Sequence, residues 1–432
     1  MAADCRKARH ADGGGAGARG DTGTGSGVSA AATSRTGAGR APGTGTGRPE
    51  PSRGTVLLFA LAGGSAVANV YFAQPLLATL GRSFGVGQGA VGAVVTVTQI
   101  GYGLGLFLLV PLGDRLDRRR LITTQSALLA AALVALGTAS GIPTLLASAA
   151  AVGFLAVVTQ SLVAYAAALA GPDRRGTVVG QVTSGVVLGI LLARTVSGLL
   201  SDLAGWRSVY LGSAAVTLLL TTALHRALPR DGAPRARVPY RDLLRSTVTL
   251  FLREPVPRTR ALYAFLVFAA FSTLWSCVAL PLSEAPYALS HTAIGAFGLV
   301  GAAGALAAAP AGRLHDRGHA RATTGAALAL LVLSWIPLAL TGRSLWALAA
   351  GAIVLDLAVQ AVHVTNQSVI YAHRPDAGSR VIGGYMMFYS TGSALGALAS
   401  TSLYAAAGWG AVCVLGAGFS ALALALWGLT AA

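Results

Sequence analysis

Charge is scarce in this chain. Only 11% of its 432 residues are charged and 54% are hydrophobic, with a mean hydropathy of +0.65. Soluble domains carry about 25% charged residues, so the scarcity excludes an ordinary soluble fold. Cysteine is almost missing: Cys5 lies in a polar tail, and Cys277 and Cys413 lie within apolar runs. That spacing supports neither a disulfide framework nor a metal site. Only Lys7 among the 32 basic residues is a lysine, a bias that GC-rich coding produces. No HExxH, GxSxG or Walker-type loop occurs, and the seven histidines are scattered. A polytopic enzyme would need a nucleophile, base or metal constellation, and a primary pump would need a nucleotide-binding domain.

What the chain does have is long apolar runs of about 20 residues, the length a helix needs to cross a hydrocarbon core of about 30 Å. The runs do not alternate, which selects helices over barrel strands. Twelve spans are expected, at roughly 55–80, 90–112, 121–139, 142–170, 177–202, 207–227, 259–282, 290–312, 322–341, 344–372, 379–405 and 408–430. Residues 1–54 are Gly/Ala/Thr/Arg-rich without an apolar face, and are expected to be a disordered tail with no specific function. A cleaved signal peptide is not expected, since the first apolar run starts some 55 residues in. A polar break, 228–258, separates a six-helix bundle at 55–227 from a second at 259–432.

Arginine placement orients the spans. With the N-terminus in the cytoplasm, 28 of the 32 basic residues fall inside and only Arg82, Arg207 and Arg343 outside; Arg194 lies within the fifth span. An N-in, C-in protein of the plasma membrane is expected. Its basic loops face anionic lipid, which accounts for the +17 net charge without nucleic-acid binding.

The halves repeat one another. "PLGDRLDRRR" after the second span pairs with "PAGRLHDRGHAR" after the eighth, placing Asp114 and Asp316 202 residues apart. Pro172 pairs with Pro375, and Trp206 with Trp409, each 203 apart. Two parallel six-helix halves are characteristic of secondary transporters, with the substrate site between them; such a repeat gives no support to a channel or receptor. On these residues the chain resembles the major facilitator superfamily over about 55–430. Leu112, Asp114, Arg115, Arg118 and Arg119, with Gly113 between them, match that family's G-x-L-a-D-R-x-G-R-K signature, while Val110 and Asp117 replace its glycines. Gly312, Leu314, Asp316, Arg317 and Gly318 form the second copy. "ANVYFAQPLL", "TQIGYGLGLFLLVPLGDR" and "VTNQSVIYAHRPDAGSR" are similar to the drug/proton antiporter and sugar-efflux branches. The fifth-span Gly-x-x-x-Gly-Pro pattern is half present: Gly185 and Gly189 match and Ile190 replaces proline. Ala149 stands near the place of the fourth-span arginine of many drug antiporters.

The resemblance implies an all-α protein of two pseudo-symmetric bundles that moves a small solute by alternating access, driven by a proton gradient and needing no cofactor or metal. Efflux by antiport is the expected mode, with uptake by symport the alternative. A monomer is expected. In the tenth span, Asp356, Gln360, His363 and Gln367 fall within about 60° of one face. Such a stripe must face protein or water. Asp356 is the only acid deep in any span; it is the candidate for the coupling proton or a cationic substrate group, with His363 as relay. A structural helix partner is the competing reading for each. Arg194 is the only deep base, a candidate partner for Asp356 or a substrate anion, against a static pair or an arginine snorkelling to the interface. Pro75 is expected to kink the first span. The resemblance makes spans 1, 4, 7 and 10 cavity-lining, so Asn69, Tyr71, Gln74, Gln160, Ser272 and Trp275 join Gln360 and Gln367 as candidate substrate contacts, or ordinary interhelical partners. In the charged turns, Asp114 is expected to dock on the start of the eleventh span near Ser379, and Asp316 on the start of the fifth near Gly176 and Thr177, where free N–H groups and the helix dipole favour an anion.

Overall fold

In the computed structural model, the first apolar run starts a helix at once. Ser52 caps it, its hydroxyl accepting from Thr55 N at 3.1 Å, and α1 runs over Arg53–Ala68. The structure describes residues 51–170, 174–228, 239–301, 304, 307, 310–311, 313–314, 317–373 and 378–431. The expected disordered tail lies outside these, apart from its last four residues. No strand occurs among the described residues.

The first span is not one helix. The chain leaves α1 at Asn69, passes a 3-10 turn at Gln74–Leu76, and resumes as α2, Leu77–Phe84. Proline removes a backbone donor and disfavours helix before it, so Pro75 makes a break rather than the expected kink. The following helices are α3 (Gln88–Leu108), α4 (Arg118–Gly137), α5 (Ile142–Ala156), α6 (Val158–Leu169), α7 (Arg175–Ala204) and α8 (Trp206–Ala227). Inside the expected polar break lies α9, Tyr240–Arg253. The second half continues with α10 (Pro255–Cys277), α11 (Ala279–Ser283), α12 (His291–Phe297), α13 (Ala320–Leu333), α14 (Trp335–Ala339), α15 (Leu345–His373) and α16 (Gly378–Ala431). Among the described residues nine helices are long and apolar enough to cross a membrane. One of them, α16, turns back at Gly408 and carries the last two expected spans. The eighth expected span is only partly within the described residues.

The repeat is visible in the backbone. Gly205 (φ 80°) ends α7 and Gly408 (φ 73°) divides α16, and each precedes the tryptophan of an Ala-Gly-Trp turn. Residues with side chains rarely adopt positive φ, so glycine reverses the chain at the same place in both halves. Two hydrophobic cores result, one built mainly from residues before Leu228 and one mainly from residues after Phe251. Large apolar side chains such as Leu219 and Trp346 remain exposed on the outer faces, where a bilayer covers them. The end holding Arg115, Arg118 and α9 is arginine-rich; the end holding Arg82, Arg207 and Arg343 is arginine-poor.

Candidate functional site

Arg194 and Asp356 meet through a tryptophan. Arg194 sits ten residues before the end of α7, and Asp356 eleven residues into α15, both measured from the arginine-poor end. At 1.5 Å per residue both lie about 15 Å deep. Both are buried. They form no direct ion pair. The Arg194 guanidinium lies over the Trp275 ring, 4.3 Å from its centroid, and the Trp275 indole N–H donates to Asp356 Oδ1 at 3.0 Å. Arg194 Nε donates to Gln74 Oε1 at 2.7 Å, and the Tyr71 ring lies on another side at 5.3 Å. The expected charge pair is thus an arginine–indole–carboxylate stack contributed by both halves.

Glycine lets this stack close. Gly298 N bonds Gly295 O, Gly301 N bonds Gly298 O and Gly304 N bonds Gly301 O. Three-residue turns align every third residue, so these four glycines share one line. Gly295 and Gly298 press on Arg194, and Gly301 and Gly304 on Asp356. A side chain on Gly301 would meet the Asp356 carboxylate.

An aromatic arm leads from this stack toward the arginine-rich end. The Tyr71 and Tyr389 hydroxyls bond at 2.7 Å, joining the halves. Tyr389 packs on Phe268 with centroids 3.9 Å apart, and Phe268 meets the His363 ring edge-on at 5.2 Å. His363 Nδ1 bonds the Tyr385 hydroxyl at 2.9 Å, and Gln367 Nε2 lies 3.2 Å from His363 Nε2. The stripe expected on the tenth span is therefore split: Asp356 belongs to the arginine stack, and His363 and Gln367 to a tyrosine network about two to three turns further on. Gln360, between them, is half-buried.

Other candidates sit elsewhere. Asn69 is consumed by helix packing: its Nδ2 donates to Ser65 O, and Ser213 donates to its Oδ1 at 2.7 Å. Ser272 and Ser276 bond one another within α10 at 3.1 Å. Gln160 sits beside the Tyr102 hydroxyl. In the charged turn, Leu112 N bonds Leu109 O, Arg115 N bonds Leu112 O, Arg118 Nε donates to Gly113 O at 3.1 Å, and Arg119 donates to His225 O. Asp117, read as a departure from the family motif, caps α4 by accepting from Arg120 N at 2.8 Å. A cavity of about 50 Å³ beside this turn is lined by Gly113, Arg118 and apolar groups including Leu106, Ile122 and Met387. The side chain of Asp114 and residues Gly312 and Asp316 lie outside what is described, as do the side chains at Gly176 and Ser379, so the two expected docking contacts do too. Of the second motif copy, Gly318 turns the chain at φ 80°, and Arg317 N bonds Arg313 O at 3.2 Å.

The arginine-poor end is closed along two seams. Where α7 meets α12, Asp202 Oδ2 accepts from Thr292 N at 2.7 Å and from its hydroxyl at 2.6 Å, and Asp202 Oδ1 meets His291 Nδ1 at 2.6 Å. The other ring nitrogen of His291 bonds the Thr79 hydroxyl. Where α3 meets α16, Gly92 lies on Thr401, Gly89 on Ser402, and the Ser390 hydroxyl donates to Gln99 O at 3.1 Å. Sequence reasoning passed over Asp202, His291, Tyr102, Tyr385 and Tyr389. It sought acids deep in spans, whereas Asp202 lies near a span end, and buried tyrosines look like any other apolar residue.

Comparison with known proteins fits this geometry. The sequence profile described as Major Facilitator Superfamily matches residues 59–283 and again 261–431. The chain is 44% identical over 378 residues, 88% of its length and 96% of the relative's, to the putative uncharacterized transporter YgaY of Escherichia coli (strain K12). It is 33% identical to the probable transporter SCO4007 of Streptomyces coelicolor over 83% of each chain. Its fold is similar, at a TM-score of 0.75 and 16% identity, to a bacterial homolog of the human lysosomal transporter Spinster, covering 89% of this chain and 98% of that one.

Proposed function

The chain belongs to the major facilitator superfamily as a multi-pass membrane transporter, and we propose that it is a proton-coupled efflux antiporter of the plasma membrane working by alternating access. The observation that carries this reading is the stack of Asp356, Trp275 and Arg194. The acid comes from one half and the base from the other, and a single indole touches both. A carboxylate that gains a proton loses its charge and accepts more weakly from the indole N–H, and the stack then loosens across the line where the halves meet. Substrate contact falls to Tyr71, Gln74 and Trp275 in the stack, and to His363, Gln360 and Gln367 along the arm.

Arginine distribution supports a cytoplasmic arginine-rich end with both termini on that side, its basic turns against anionic lipid. Arg118 and Arg119 brace the charged turn against its own bundle. The two closed seams then face outward.

Reconstitution in vesicles under an imposed pH gradient tests the reading. Gradient-driven solute movement should occur, a protonophore should abolish it, and Asp356→Asn should lower it more than a hundredfold while the protein still inserts. Solute moving in the same direction as protons would make the protein a symporter. Full gradient-driven flux in Asp356→Asn would remove Asp356 from coupling.

A further inference from the structure

Arg194 is a buried cation with no anion in direct contact among the described residues. Its Nε is bonded to the neutral amide of Gln74, and its Nη2 is buried without a hydrogen-bond partner. Among the described residues no carboxylate comes within ion-pair distance of it. Asp356 is held away: the Trp275 indole occupies Oδ1, and Oδ2 faces Gly301. A guanidinium taken out of water is costly to leave uncompensated, and its planar donor fork matches a carboxylate. The walls beside it are aromatic, the Trp275 and Tyr71 rings. Tyr71 is fixed by its bond to Tyr389, and Trp275 by its bond to Asp356. Fixed π-faces beside a cation suit a planar body attached to an anion.

We propose that the transported solute is an aromatic carboxylate, its carboxylate bound by Arg194 and its ring stacked against Tyr71 and Trp275. This rests on the reading that the stack is the transport site. The unpaired Nη2 is where the solute's carboxylate docks.

Benzoate, benzyl alcohol and benzylamine present one ring with negative, no and positive charge. Calorimetric titration of the purified full-length protein in detergent should show benzoate binding at least tenfold tighter than the other two. Arg194→Gln should bring benzoate down to the level of benzyl alcohol. Arg194→Lys, which keeps the charge, should retain a weaker preference for benzoate, and a cooperative melt shows that each variant is folded. Equal binding of the three, preference for benzylamine, no benzoate binding at millimolar concentration, or benzoate binding unchanged in Arg194→Gln would each overturn the proposal. The coupling reading fails separately. Benzoate binding without gradient-driven flux leaves the anion site and removes proton coupling. Asp356-dependent flux of another solute, with no benzoate binding, does the reverse.

Discussion

The two seams at the arginine-poor end are copies held by different chemistry. Shifted by the 203-residue repeat, Asp202 falls on Ala405 and Thr292 on Gly89. The structure keeps both pairings. Asp202 bonds Thr292 across one seam, and Gly89 packs toward Ala405 across the other. The fold therefore dictates which positions meet, and the side chains decide how they hold. A carboxylate on backbone and hydroxyl donors gives a directional clasp that water can reach, its Asp202 and His291 side chains 28% and 22% exposed. Glycine on threonine gives a dry contact set by shape, and the Ser390 to Gln99 O hydrogen bond lies deeper along the same two helices.

The same comparison explains why the charged centre is not duplicated. Arg194 shifts onto Ala397, and Asp356 shifts back onto Gly153. Gly153 lets α5 press directly on the Thr98 carbonyl, and Ala397 is fully buried. Where one half places a charge, the other places the smallest filler, so a two-fold scaffold carries a one-fold site.

Breaking the dry seam should have the larger effect. A Cβ at Gly92 would overlap the Thr401 side chain, so Gly92→Leu should keep α3 and α16 apart and stop closure of that end. Vesicle transport should fall more than tenfold with the melting transition retained. Normal transport in Gly92→Leu would mean that this contact need not form during the cycle.

The clasp should prove softer. Hydrogen bonds to a charged group are worth about 1.5–3 kcal/mol when shielded, and partial exposure reduces that. Asp202→Ala should slow transport severalfold, and Asp202→Asn less, because its amide oxygen still accepts from Thr292 N. The direct readout is a cysteine at Ser197, which lies buried below the clasp with its hydroxyl bonded to Phe72 O. With the native cysteines replaced by serine, maleimide added from the arginine-poor side should label Ser197→Cys faster when Asp202 is also changed to alanine. Equal labelling rates would show that the clasp does not hold the end shut.

The spans were legible because a bilayer demands continuous apolar helix, and the halves because identical turns recur at one offset. Asp356 and Arg194 stood out for the same reason: charge inside an apolar run is costly. Their indirect contact was not legible, because stacking on Trp275 depends on how α7, α10 and α15 pack. The break at Gln74–Leu76 was only half legible, since Pro75 signals disruption but not its extent. The clasp escaped because Asp202 and His291, 89 residues apart, each sit at an unremarkable helix end.

The smallest effect expected tests the repeat itself. Gly205 and Gly408 both have positive φ with ψ near 180°, at 162° and −170°, a region essentially reserved for glycine. A Cβ meets no neighbouring atom at either site, so replacement brings backbone strain and no clash. Gly205→Ala and Gly408→Ala should each cost about 1–3 kcal/mol, read as similar falls in melting temperature, with transport retained at temperatures where the protein stays folded. If only one variant lost stability, the two turns would share a shape without sharing a role, and the two seams would not be equivalent products of one repeat. Equal losses would mean that the halves are reversed by the same device, so that the difference between clasp and dry contact lies wholly in the side chains that meet beyond it.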